Sequence, residues 1–136
     1  MINVIIGEKG TGKTAKLIEA VHSAEKAATG SLVFINKGKR LVLDLSHNVR
    51  LVDTDDYGIA SYDEFFGFIC GILSQNYDIA HIFIDSITKI VNDDADELEK
   101  FLNRIAVVAD QNNAEIQIIL SMNPADASDG IKKYVK

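Results

Sequence analysis

The segment from residue 7 to residue 14 constrains the fold of this chain more than any other. It reads Gly7-Glu8-Lys9-Gly10-Thr11-Gly12-Lys13-Thr14, with three glycines in eight positions. An apolar run, Val4 to Ile6, precedes it, and apolar residues at helical spacing follow it from Lys13 to Ala27. The pattern predicts a strand that ends at Gly7, a tight glycine loop, and a helix that begins at Lys13.

The residue types in this loop suit the binding of phosphate groups. Glycines let the backbone turn its N–H groups inward, and the positive end of the following helix attracts an anion. The loop matches the pattern G-x-x-x-x-G-K-[ST], in which the lysine reaches the β- and γ-phosphates and the hydroxyl binds Mg²⁺. We therefore predict a site for ATP with Mg²⁺ formed by the loop residues Gly7, Glu8, Lys9, Gly10, Thr11, Gly12, Lys13 and Thr14. A glycine turn of purely structural use would not account for Lys13 and Thr14.

A carboxylate at the end of a second apolar strand completes this predicted site. The run Ile82-Phe83-Ile84 is followed directly by Asp85 and Ser86. In sites for magnesium nucleotides, an acid in this position holds the metal, often through water. We predict that Thr14 and Asp85 bind the metal and that Lys13 and Asp85 are catalytic if the nucleotide is hydrolysed. The alternative is an aspartate that only caps a turn.

The remaining apolar patterns predict an α/β fold with a mainly parallel sheet and helices on both faces. The further strands and helices are predicted at these places: strands at 32–35, 41–43, 49–52, 79–84 and 116–120, and helices at 61–75, from about 93 to 108, and at 131–135. Ser61 and Glu64 form a capping box at the start of the first of these helices. The strands at 41–43 and 49–52 form a hairpin, or the second is a parallel strand.

Composition bounds the class of protein. The 136 residues suit one domain, predicted to span residues 1–136. The net charge of −6 disfavours general nucleic-acid binding, which rewards clustered Lys and Arg. The one cysteine, Cys70, is predicted to be a core thiol and suits a reducing compartment. No signal peptide is evident, and the longest apolar run has nine residues where a membrane span needs about twenty, so we predict a cytoplasmic protein.

With both motifs in view, the chain resembles the P-loop NTPases, and within them the RecA-like branch. Gly7–Thr14 is similar to the Walker A motif and Ile82–Ser86 to the Walker B motif, including the serine after the acid. The chain is also similar, over nearly its whole length, to small stand-alone ATP-binding proteins of Firmicutes. The RecA-like resemblance implies that strand 116–120 lies between the other two motif strands, with Ser121 or Asn123 as a γ-phosphate sensor. The alternative for Asn123 is a simple turn before Pro124.

The chain departs from the RecA-like pattern at the group that activates the attacking water. The resemblance implies a glutamate just after the second strand or beside Asp85, and Asn36-Lys37 and Ser86 occupy those places. Three carboxylates are candidate substitutes for this general base: Glu8, Asp44 and Asp53. The predicted function is therefore ATP binding with slow or partner-stimulated ATPase activity, and the base stays unassigned.

Two other functions compete with this prediction. One is a nucleotide-gated interaction module without catalysis, which would bind a protein partner or a second copy. The other is a small-molecule kinase. Such kinases need an arginine-rich lid that clamps the transferred phosphoryl group, so this function is disfavoured because Arg40, Arg50 and Arg104 lie in separate elements. The basic cluster 37–40 is either a phosphate contact, in cis or in trans, or a solvated turn. No guanine-recognition motif is evident after Asn36-Lys37.

The helix at 61–75 has one strongly apolar face, formed by Phe65, Phe68, Ile69, Ile72 and Leu73. Gly67 and Gly71 on this helix predict close packing on the sheet, with a dimer face as the alternative. The three histidines, at positions 22, 47 and 81, lack the spacing of a metal site.

Overall fold

Five apolar segments form one sheet in the computed structural model of the chain, which describes residues 1–27, 30–38, 45–91 and 95–135. The strands are β1 (Ile2–Gly7), β2 (Ser31–Asn36), β3 (Val49–Asp53), β4 (Ile79–Ile84) and β5 (Glu115–Ser121). All neighbouring strands are parallel, and their order is β1-β5-β4-β2-β3. The predicted α/β class and parallel sheet are therefore confirmed, and so is the position of β5 between β1 and β4.

Helices cover both faces of the sheet, as predicted. They are α1 (Lys13–Ala27), α2 (Tyr62–Gln75), α3 (Ile87–Ile90), α4 (Ala95–Gln111) and α5 (Asp129–Lys132). The buried side of α1 packs against Phe34 and Phe83 on one face. On the other face, α2 and α4 pack against the strand side chains that point away from Phe34 and Phe83. No helix within the described ranges is both long and apolar enough to cross a bilayer.

The start of α2 shows how local sequence fixes an element boundary. The Ser61 hydroxyl accepts a hydrogen bond from the Glu64 amide at 3.1 Å, and the Glu64 carboxylate accepts one from the Ser61 amide at 3.0 Å. The predicted capping box is therefore confirmed. Hydrogen bonds from the Ala60 and Ser61 amides hold the pKa of Glu64 below its usual value.

The glycines of α2 do not pack on the sheet, so the close-packing prediction is wrong. A Cβ atom added to Gly67 or Gly71 would meet nothing within 4 Å. The sheet contact is made instead by Phe65, Ile69 and Leu73, which are fully buried or nearly so. Each glycine comes two residues after one of these buried residues. Two residues correspond to about 200° around the helix, so the glycines face solvent. Cys70, predicted to be a core thiol, is only half-buried.

The bounds predicted for the last helix, 131–135, are wrong. The helix α5 ends at Lys132, and Val135 instead forms a parallel bridge with Val4 of β1. The amide of Val4 donates a hydrogen bond to the carbonyl of Tyr134 at 2.8 Å. Because β1 is an edge strand, its outer backbone groups need partners, and the chain end supplies them.

Of the two predicted segments in the region 41–52, only the second lies within the described residues. Val49–Asp53 pairs parallel to β2, with Phe34 opposite Leu51. The parallel-strand alternative is therefore confirmed for β3. The predicted strand at 41–43 lies outside the described residues.

Candidate functional site

The glycine loop joins the carboxyl end of β1 to the first turn of α1. Two of its residues have backbone angles that favour glycine, since φ is +87° at Gly10 and +82° at Gly12. Gly7 is buried, and a Cβ there would lie 2.8 Å from the Thr11 hydroxyl oxygen. The three glycines thus serve two needs, namely left-handed backbone at Gly10 and Gly12 and close approach at Gly7.

The side chain of Lys13 points back into this loop. Its Nζ donates a hydrogen bond to the Glu8 carbonyl at 2.7 Å, and the side chain as a whole is buried. The Thr11 hydroxyl donates to the same carbonyl at 2.8 Å. The Lys13 bond holds a positive charge within the curve of the loop, at the N-terminus of α1. This is the place where backbone amides and the helix dipole favour an anion.

Asp85 follows β4 and lies beside the first turn of α1. The Thr14 hydroxyl is 3.4 Å from the Asp85 Oδ1, although the two residues are 71 positions apart in the chain. Asp85 is buried, and its backbone amide donates to the Ile35 carbonyl at 2.9 Å. The sheet order therefore brings together the two residues predicted to bind the metal.

Ser86 also holds the carboxylate of Asp85. Its hydroxyl donates a hydrogen bond to the Asp85 Oδ1 at 2.9 Å, and both side chains are buried. Ser86 has a φ of +59°, which is uncommon for a residue with a side chain. The chain turns sharply here into α3, a short helix that the sequence patterns did not predict. The strained turn keeps the carboxylate at the carboxyl end of β4.

The donor set formed by Thr14 and Asp85 fits Mg²⁺ bound together with phosphate. Magnesium usually takes one or two protein ligands and completes its shell with phosphate oxygens and water. Within the part of the chain that the structure describes, no group of three or more His, Cys, Asp or Glu could hold a metal.

The end of β5 lies directly beside the loop. Ser121 is opposite Gly7 in the sheet, and the Met122 amide donates to the Gly7 carbonyl at 3.0 Å. Asn123 and Pro124 line a cavity of about 380 Å³ together with the loop. The Asn123 Oδ1 accepts a hydrogen bond from the Ala125 amide at 2.9 Å, so this residue caps a turn as the simpler alternative predicted. Both predicted sensor residues are thus next to the loop.

Two of the three carboxylates named as substitutes for the general base lie within the described residues. Glu8 is exposed on the loop. Asp53 lies two strands from β4, and its Oδ1 accepts hydrogen bonds from the amides of Gly38 at 2.8 Å and Asp55 at 3.0 Å. The third, Asp44, lies outside the described residues. The positions of Glu8 and Asp53 do not identify a base.

The basic cluster at 37–40 is described only in part. The Nζ of Lys37 forms an exposed ion pair with Asp55 at 2.6 Å, which suits the solvated-turn alternative. Lys39 and Arg40 lie outside the described residues. Arg104, one of the arginines weighed for a kinase, packs over the Phe66 ring at 3.8 Å and pairs with Asp63 at 2.7 Å. It belongs to α4, on the face of the sheet away from the loop.

The structure identifies one site residue that sequence reasoning missed. Asn36, at the end of β2, is a polar residue with 2% exposure, and it lies in the sheet next to Asp85. The signal in the sequence is a polar residue at the end of an apolar strand. Comparison with known proteins finds no family model that matches this chain and no curated protein with significant similarity to it.

Proposed function

We propose that this chain is a minimal P-loop NTPase of the RecA-like type that binds ATP with Mg²⁺ and hydrolyses it slowly. The observation that carries the proposal is the 3.4 Å contact between the Thr14 hydroxyl and the Asp85 carboxylate. These two groups come from separate motifs, and each is the residue type that a magnesium nucleotide site needs at its position.

Three further features support nucleotide binding. The ammonium group of Lys13 lies inside the loop, where it can transfer from the Glu8 carbonyl to phosphate oxygens. The positive φ angles of Gly10 and Gly12 suit a loop that directs its amides inward. The loop also opens α1, a helix of 15 residues, whose dipole favours negative charge at this end.

Slow hydrolysis follows from the groups that surround Asp85. When bound, Mg²⁺ would neutralise charge on the phosphates, and Thr14 and Asp85 would hold it. Lys13 would orient the terminal phosphate. A general base typically contributes 10²- to 10⁴-fold to a rate, and neither Glu8 nor Asp53 is placed to act as one. Turnover well below the enzyme median of about 10 s⁻¹ is therefore expected.

The proposal is tested by ligand-dependent thermal stability. We expect ATP with Mg²⁺ to raise the melting temperature, since binding at a hundredfold excess over Kd stabilises the fold by about 2.7 kcal/mol. ATP with a chelator should give a much smaller shift. Asp85→Asn should remove most of the difference between the two conditions, because it weakens the hold on the metal.

Asp56→Asn is the matched control, since it makes the same charge change at an exposed position outside the site. It should respond to ATP and Mg²⁺ like the wild type. A thermal shift that is indifferent to the metal, or equal in the Asp85 and Asp56 variants, would refute the assignment of Asp85.

The hydrogen bonds of Asp53 favour a second candidate function, a nucleotide-gated interaction module without catalysis. Asp53 accepts hydrogen bonds from the amides of Gly38 and Asp55 and thereby ties Gly38, just after β2, to the segment that follows β3. Phosphate release separates the two functions. Slow but measurable release from ATP favours the ATPase, and binding with no release favours the gated module.

A further inference from the structure

The carboxamide of Asn36 is buried without a hydrogen-bond partner. Its exposure is 2%, and neither Oδ1 nor Nδ2 has a partner among the described residues. Burying an amide in this way destabilises a fold, and such groups are rare in native proteins. A ligand that supplied hydrogen bonds to this amide would remove that cost.

The position of Asn36 directs the amide towards the proposed nucleotide site. Along β2, side chains alternate between the two faces, and Phe34 packs on the face that α1 covers. Asn36 therefore projects to that same face. The pairing of Ile35 with Ile84 places Asn36 beside Asp85 on the neighbouring strand. Asp85 in turn is in contact with Thr14 of α1.

The backbone of Asn36 is held from both sides. Its carbonyl accepts a hydrogen bond from the buried Thr54 hydroxyl at 3.3 Å. The pairing with Asp53 fixes it to β3, and β4 lies on the other side. Since β2 is an interior strand of the sheet, the backbone of Asn36 is fixed beside Asp85, and with 2% exposure its side chain does not extend into solvent.

We propose that Asn36 orients the water molecule that attacks the terminal phosphate of the nucleotide, an inference that rests on the proposed function. A carboxamide carries an acceptor for a water O–H and a donor for a phosphate oxygen, and a carboxamide side chain orients the attacking water in other P-loop enzymes. The water oxygen forms a bond to the γ-phosphorus, and the bond from that phosphorus to the β–γ bridging oxygen breaks. The electron pair leaves with ADP.

The proton of the water leaves with the phosphate product or enters solvent. A neutral amide does not accept it, so Asn36 supplies orientation without basicity. This accounts for hydrolysis that is slow but not absent.

The test compares Asn36→Leu with the wild type in three measurements. Without nucleotide, the melting temperature should rise by a few degrees, because an unsatisfied buried amide is replaced by an apolar side chain of similar size. The Kd for ATP with Mg²⁺ should rise by no more than about tenfold, because only the amide's hydrogen bond to a phosphate oxygen is lost and the loop is untouched. The kcat for phosphate release should fall at least tenfold, because the water loses its orienting partner.

Two companion variants sharpen the test. Asn36→Asp keeps an oxygen acceptor in place, so its kcat should equal or exceed that of the wild type and should rise with pH as the carboxylate ionises. His81→Phe is the matched control, because the His81 Nδ1 is also buried without a described partner. His81 lies on β4, four residues before Asp85, which corresponds to about 13 Å at the rise per residue of a strand. It should leave kcat unchanged.

Each outcome has a distinct meaning. If the wild type does not bind ATP with Mg²⁺, the proposed function fails and this inference fails with it. If the wild type binds but releases no phosphate, binding stands and the inference is overturned. An unchanged kcat in Asn36→Leu, a lower melting temperature without nucleotide, or an Asp variant as slow as the Leu variant would also overturn it.

Discussion

Replacing Lys13 by methionine tests the cation on which the proposed nucleotide binding depends. Methionine keeps an unbranched apolar stem of nearly the same length, so the packing around this buried side chain is largely preserved. The change removes the ammonium group and its 2.7 Å hydrogen bond to the Glu8 carbonyl. Glu8 is exposed, so water can satisfy that carbonyl, and the fold should remain intact.

The size of the effect follows from the bonds that Lys13 exchanges. Without nucleotide, the described contacts give its ammonium one hydrogen bond, to the Glu8 carbonyl. When it reaches the β- and γ-phosphates, it gives up this bond and gains at least two that are charge-assisted. The net gain of one such bond is about 1.5–3 kcal/mol. Its loss should raise the Kd for ATP by about 10- to 150-fold.

Calorimetric titration of ATP with Mg²⁺ into wild type and variant measures this directly. Lys26→Met is the matched control, since Lys26 is an exposed lysine in the last turn of the same helix. It lies about 20 Å along α1 from Lys13 and loses the same charge beyond the Debye length of about 10 Å. Equal Kd values for wild type and Lys13→Met would refute the assignment of the loop.

Two other predictions concern stability. Gly12→Ala should lower the free energy of unfolding by about 1–3 kcal/mol, because φ is +82° at this position. Gly71→Ala should raise the free energy of unfolding by about 0.5–1 kcal/mol, because its Cβ enters open space on a helix. Urea denaturation measures both, and equal effects would contradict the backbone explanation. Burial lowers the pKa of His81, so the unfolded chain binds more protons and stability should fall as pH drops below about 6.5. In His81→Phe that fall, followed by melting temperature from pH 8 to 5, should be smaller, and an identical pH profile would exclude His81 as its source.

The elements with strong local signals could be predicted closely from the sequence. The helix at Lys13–Ala27 and the strand at Ile79–Ile84 begin and end where the apolar patterns indicated. For α2, the capping box of Ser61 and Glu64 marked the first turn. In each case the residues that decide the boundary are neighbours in sequence, so periodicity and capping contain the information.

The features that sequence reasoning missed depend on distant contacts. The bridge between Val4 and Val135 arises because β1 is an edge strand, which the residues near 135 do not reveal. The outward direction of Gly67 follows from which face of α2 meets the sheet. The position of Asn36 beside Asp85 follows from the pairing of β2 with β4. Strand order is set by packing across the chain, so local patterns cannot supply it.

The order of polar residues at the carboxyl ends of three strands would link the proposed slow turnover to a further mode of action. Asp53 ends β3, Asn36 ends β2 and Asp85 directly follows β4, so the neutral amide lies between two carboxylates. Asp53 accepts a hydrogen bond from the Gly38 amide just after β2, and Asp85 contacts the first turn of α1. A nucleotide that satisfied the amide of Asn36 would thus connect the glycine loop to the described residues directly after β2. If hydrolysis is slow, that connected state persists long enough for a partner to bind it, so a weak ATPase and a nucleotide-gated surface are compatible properties of one site.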